Sequence, residues 1–120
     1  MTTPMLDVLI IGAGPSGCVA AAHLHSQGHA VQIVEKSKFP RFVIGESLLP
    51  RCMEHFEAVG LLDCLTKQGF EKKYGARFLK KDEVCLFDFS EQFTDGWSWT
   101  WQVPRADFDK TLTDELQNKG

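Results

Sequence analysis

The chain has 120 residues, enough for one small domain, and a formal net charge of -3, with 43% hydrophobic and 24% charged residues. That balance excludes a disordered chain and offers no basic footprint for nucleic acid or an anionic membrane surface. The longest apolar runs fall short of the roughly 18 residues of a membrane span, and the N-terminus lacks a secretory-signal pattern, so a cytoplasmic protein is expected.

In chain order, residues 6–11 form a short β-branched run bounded by Gly12, the pattern of a strand buried on both faces. A helix should begin at Pro15, where the missing N–H costs nothing, and run through small residues to Gly28 as its C-terminal stop. Residues 30–34 read as a second strand, parallel to the first through a right-handed crossover. Beyond Pro40, residues 48–59 predict a helix with Leu49, Met53 and Phe56 on one face, ended by Gly60, and a short helix follows over 61–67. Residues 76–79 and 84–89 read as antiparallel strands around the polar turn Lys81-Asp82-Glu83. A further strand is predicted over 98–103, then a closing helix with Pro104 near its start and Phe108, Leu112 and Leu116 as its apolar stripe.

Gly12-Ala13-Gly14-Pro15-Ser16-Gly17 fits G-x-G-x-x-G. The pattern is weak alone, but here it follows a predicted strand and opens a helix, and Glu35 ends the next strand at about the 20-residue spacing of a ribose-binding acid. Each position has a physical task. Gly12 permits the tight turn, Gly14 lets a pyrophosphate approach the backbone, and Gly17 lets the helix press on the sheet. The helix N-terminus, with Pro15 and Ser16, presents free N–H groups to the phosphates. A carboxylate at Glu35 can accept both ribose hydroxyls and would repel a 2′-phosphate, which favours FAD or NAD(H) over NADP(H).

The stretch from Phe39 through Arg41, Gly45, Glu46 and Ser47 to Pro50 resembles the second FAD-contacting segment of the group 2 flavoprotein monooxygenases, in the branch holding flavin-dependent halogenases and geranylgeranyl-reductase-like enzymes. Val103-Pro104-Arg105-Ala106-Asp107-Phe108-Asp109 resembles their later V-x-R-x-x-F-D segment. The resemblance implies an α/β, Rossmann-like FAD-binding domain: an N-terminal βαβ unit plus part of the inserted antiparallel strands. A doubly wound sheet needs more parallel strands than the two found here, and the last helix has no following strand to return to, so the 1–120 chain is expected to be an incomplete N-terminal portion. FAD is the implied cofactor, held by Gly12, Gly14, Pro15, Ser16, Gly17, Glu35, Lys36, Arg41, Gly45, Glu46, Ser47 and Arg105. Arg41 would lie near the adenosine or pyrophosphate, the 45–47 turn near the flavin, and Arg105 would support the cofactor from the far strand.

Lys73-Tyr74-Gly75-Ala76-Arg77-Phe78 resembles the halogenase segment whose lysine passes an oxidised halogen to the substrate, which makes Lys73 the catalytic candidate. The alternative is a solvated charge in the Glu71-Lys72-Lys73 run. Trp97, Trp99 and Trp101 are similar to the halogenases' G-W-x-W-x-I-P motif but depart from it: Trp101 replaces the isoleucine and Pro104 comes late. Their alternation puts them on one strand face, as packing or as the wall of an aromatic pocket. The widely spaced Cys18, Cys52, Cys64 and Cys85 read as free thiols packed as small hydrophobes, and no metal spacing is present. His23, His25, His29 and His55 take no role. The resemblance implies an FAD-dependent oxidoreductase, halogenase- or monooxygenase-like, with a small organic substrate and a flavin reductase or NAD(P)H as electron source. A prenyl-alkene reductase, a non-catalytic binding module and an NAD-dependent dehydrogenase are the alternatives.

Overall fold

A computed structural model describes residues 4–120. The chain opens with β1 (Val8–Ile11), α1 (Pro15–Ser26) and β2 (Val31–Val34), and the two strands pair in parallel with Val8 opposite Val31 and Ile11 opposite Val34. Pro15 is the first residue of α1, and Gly28 leaves it at φ +88°, both as the sequence leads one to expect. Strand β1 is not buried on both faces as its sequence predicts. Leu9 and Ile11 are 54% and 84% exposed, so β1 is covered on one face only. Its β-branched run has the composition of a strand between two layers, but among the described residues α1 alone supplies a layer.

Two helices follow, α2 (Arg51–Ala58) and α3 (Leu62–Thr66), separated by Gly60 at φ +73°. The first starts later than periodicity suggests. Pro50 caps it, and the segment before it is drawn into sheet pairing, with the Leu48 N–H donating to the Trp101 carbonyl at 3.2 Å. Leu49 is therefore exposed, while Met53 and Phe56 are buried.

Strand β3 (Glu71–Lys73) precedes the hairpin of β4 (Gly75–Lys80) and β5 (Glu83–Asp88) and pairs antiparallel with β6 (Thr100–Gln102). Nothing in Glu-Lys-Lys announces a strand, because it has neither alternation nor β-branched residues. The β4–β5 hairpin is largely open to solvent on both faces, so Cys85 is exposed rather than packed, unlike the buried Cys18. All four thiols are free.

The closing helix α4 (Arg105–Lys119) carries Phe108 and Leu112 into the centre of the core with Met53, Leu61, Leu65 and Cys18. Phe108 stands edge-on to Phe56 and Phe70, with ring centroids 5.8 and 5.9 Å apart. Full burial of such a ring contributes about 1.5–3 kcal/mol. Trp97, Trp99 and Trp101 form a ladder of edge-to-face rings at 5.3 and 5.5 Å. Only Trp101 lies within β6, and all three pack on the core, the plainer of the two roles expected for them. Among the described residues no helix is long and apolar enough to cross a membrane.

Candidate dinucleotide site

The glycine loop joins the end of β1 to the start of α1. Gly12 turns at φ +111° and donates its N–H to the Val34 carbonyl at 2.8 Å, which keeps the loop on the tip of β2. A Cβ on Gly17 would stand 2.1 Å from the Gly12 carbonyl oxygen, so only glycine lets α1 begin this close to the strand. The first bond of the helix runs from the Cys18 N–H to the Gly14 carbonyl at 2.9 Å. The N–H groups of Ser16 and Gly17 find no acceptor among the described residues, and α1 has neither a side-chain cap nor an acid in its first turn. Such an end attracts an anion.

Glu35 leaves β2 and folds back on that loop. Its Oε1 accepts the Ala13 N–H at 3.0 Å and its Oε2 the Ser37 N–H at 2.8 Å. These two backbone donors hold its carboxyl below the ordinary glutamate value, the Ala13 bond contributing most. An ionised carboxylate accepts at about four lone-pair positions, so the pinned group can still receive two hydroxyl donors. Lys36 beside it is exposed.

Arg41, Arg105 and Asp109 make the second part. Asp109 is completely buried. Its Oδ2 accepts Arg41 Nη1 at 2.6 Å and Arg105 Nη2 at 3.0 Å, and its Oδ1 accepts Arg105 Nε at 2.8 Å. The Arg41 guanidinium carbon lies 4.3 Å from the centroid of the Phe39 ring, within cation–π range. Arg41 Nη2 has no acceptor among the described residues and would stand 3.8 Å from a Cβ on Gly14. Arg105 Nη1 donates to the carbonyls of Gly45, at 3.2 Å, and Ile44, at 3.4 Å. Gly45 sits at φ +112°, a conformation that glycine enters without a Cβ penalty. Arg105 thus reaches the 45–47 turn from the first residue of α4, not from a strand. Removing one partner from a buried charge cluster of this kind costs about 3–5 kcal/mol. Asp109 was quoted only as the last residue of the V-x-R-x-x-F-D segment, and the sequence reading gave it no role beside the two arginines. Its signal was the Arg105-x-x-x-Asp109 spacing, which places the two side chains on one helix face.

The 46–48 segment lies along β6 on the side opposite β3. Val103 N–H donates to the Glu46 carbonyl at 2.8 Å, and Ser47 is bridged antiparallel to Gln102. Lys73, paired with Thr100 in β3, sends its ammonium across β6 to the Ser47 hydroxyl and to the Leu48 carbonyl at 3.2 Å. The ammonium also lies 5.4 Å from the Phe89 ring centroid. Lys73 is half-buried and engaged, whereas its neighbour Lys72 is exposed and rests over Trp99 at 4.6 Å. Glu46 contributes its backbone to this arrangement and leaves its side chain exposed.

A cavity of about 690 Å³ runs from Ala13, Glu35 and Ser37 along β2 to Lys110, Thr113 and Asp114 of α4. Only its first end belongs to the glycine loop. Among the described residues no cluster of His, Cys, Asp or Glu could hold a metal.

The chain matches the model of a family described as "FAD binding domain" over residues 5–120. It is 38% identical over 107 residues to a flavin-dependent halogenase of Pestalotiopsis fici, an alignment covering 88% of this chain and 20% of that enzyme. Among solved structures it is similar to a flavoprotein/dehydrogenase from Cytophaga hutchinsonii, at 60% identity and a TM-score of 0.89 over 96% of this chain and 28% of that one. It is also similar to CmlS, a flavin-dependent halogenase, at 40% identity and a TM-score of 0.88 over 99% of this chain and 22% of that one. The chain therefore spans between 20% and 28% of the length of these relatives.

Proposed function

The chain belongs to the FAD binding domain family, and on that premise we propose that the protein carrying it is an FAD-dependent oxidoreductase of the halogenase or monooxygenase kind. The observation that supports this best is the meeting of three segments remote in sequence. The 12–17 loop, the 41–47 segment and the start of α4 converge through Glu35, Arg41, Arg105 and Asp109. The residues fit the cofactor: an uncapped helix end, a pinned carboxylate with spare lone pairs, and an arginine amino group without an acceptor lie around one loop.

Glu35 would take the ribose hydroxyls, while the amides of Ser16 and Gly17 and Arg41 Nη2 would take the pyrophosphate. Gly45, Glu46 and Ser47 would face the flavin, steadied by Arg105, with Pro15 setting the start of α1 and Lys36 standing at the ribose edge. FAD, once bound, supplies the redox chemistry, and the protein binds and orients it. Lys73 would present an ammonium beside the 45–47 turn to the reacting end of a small organic substrate, held there by Ser47 and Leu48. Electrons would come from a flavin reductase or NAD(P)H.

The test is to purify the protein carrying this chain, record its flavin spectrum, and supply reduced FAD and O₂ with and without chloride or bromide. Bound FAD and a halide-dependent product support halogenation, and an oxygenated product without halide supports monooxygenation. A protein that binds no FAD sinks the reading.

A further inference from the structure

Asp109 is the sole carboxylate buried completely among the described residues. Burial of an ionised carboxylate is costly unless every oxygen is met by a donor, and here both are met by guanidinium groups. The two arginines come from different parts of the chain and face different parts of the site. Arg105 engages Asp109 through two nitrogens and keeps its third on the Gly45 and Ile44 carbonyls. Arg41 engages Asp109 through Nη1 alone. Because the guanidinium is planar and stacked on Phe39, fixing Nη1 also fixes the direction of Nη2, which lies beside Gly14.

We propose that Asp109 is a positioning residue, whose carboxylate turns the free amino group of Arg41 toward Gly14 to receive a phosphate oxygen of the dinucleotide. This inference rests on the dinucleotide reading above. It makes a prediction whose sign is unusual. Arg41, Arg105 and Asp109 together carry one net positive charge, and Asp109→Asn would raise it to two. By Coulomb attraction alone, that variant should bind a pyrophosphate more tightly. By positioning, it should bind more weakly, because Arg41 is then released from its fixed direction and must be ordered by the ligand.

The experiment titrates FAD into the flavin-free protein carrying this chain, as wild type, Arg41→Ala, Asp109→Asn and the double variant, following flavin fluorescence. Arg41→Ala and Asp109→Asn should each raise Kd by about tenfold, the scale of one charge-assisted hydrogen bond. The double variant should bind within about twofold of Arg41→Ala, since Asp109 acts through Arg41, a non-additivity that a general loss of fold does not produce. Unchanged or tighter binding by Asp109→Asn, with Arg41→Ala weakened, overturns the positioning role and leaves the dinucleotide reading standing. Full additivity overturns it as well. Unchanged binding by Arg41→Ala overturns both. Should Asp109→Asn not fold, a crystal structure of the wild-type protein with FAD decides. Arg41 with Nη1 on Asp109 and Nη2 on a phosphate supports the proposal, and Arg41 swung off Asp109 overturns it.

Discussion

The ammonium of Lys73 donates to the hydroxyl of Ser47, 26 positions away in sequence, by reaching across β6 from one flanking segment to the other. This contact ties the candidate catalytic lysine to the turn expected to face the flavin. If Lys73 relays an oxidised halogen, Lys73→Ala should keep FAD bound and lose the halogenated product. Lys73→Arg should fail nearly as badly, because a guanidinium keeps its proton and cannot form the same haloamine. Product analysis by mass spectrometry checks this, and a Lys73→Ala enzyme that still halogenates would leave the lysine only a structural link.

Glu35 gives a pH prediction. Its folded carboxyl is held below the ordinary glutamate value by the Ala13 and Ser37 amides. A depressed acid contributes stability that is fully present above its unfolded value and is lost as pH falls through the lower folded value. The amide resonances of Ala13 and Ser37 should therefore stay put while pH drops through the usual glutamate range and move only below it. Titration of both amides at the ordinary value would mean that the pinning is absent in solution. Glu35→Ala should weaken FAD binding, as read by flavin titration, and unchanged affinity would mean that the ribose is held elsewhere.

Two glycines of one loop should fail in different ways. Gly17→Ala drives a methyl to within 2.1 Å of the Gly12 carbonyl oxygen and should cost about 1–3 kcal/mol of stability, the usual scale of overpacking. Gly14 has an extended backbone and an ordinary 3.8 Å to its nearest neighbour, so Gly14→Val should fold with little loss and emerge without flavin. Thermal melts and flavin content separate the two. A Gly14→Val protein with normal flavin content would remove the pyrophosphate from this loop.

Cys18 gives a reactivity prediction. Burial first, and the nearby Asp109 carboxylate second, push its thiol from 9.0 up to about 12. The thiol form thus contributes stability below the ordinary thiol value, and that contribution falls away as pH rises toward the folded value. At pH near 9 an alkylating reagent should modify the exposed Cys85 and spare Cys18 until the chain unfolds. Peptide mass spectrometry reads this directly, and equal labelling of the two in the native protein would contradict the packing.

The amino-acid pattern was enough wherever local rules govern. A β-branched run, a glycine turn, Pro15 opening a helix of small residues and Glu35 ending the next strand describe a βαβ unit, and the structure has it with Pro15 and Gly28 at the expected ends. The stripe of Phe108 and Leu112 on α4 was legible for the same reason, since periodicity is a local property. What charged residues touch is not local. Lys73 read as a catalytic lysine or else as a solvated charge in the Glu71-Lys72-Lys73 run, and neither reading foresaw the strand these residues form because β6, about thirty positions on, lends them its edge. Arg41 and Arg105 were named as two separate cofactor contacts, and only the fold placed the buried Asp109 between them. A hydrophobic pattern records which face is covered, because burial acts on each residue singly. A hydrogen bond between remote side chains records only that both partners arrived, and which ones do is settled as the chain folds.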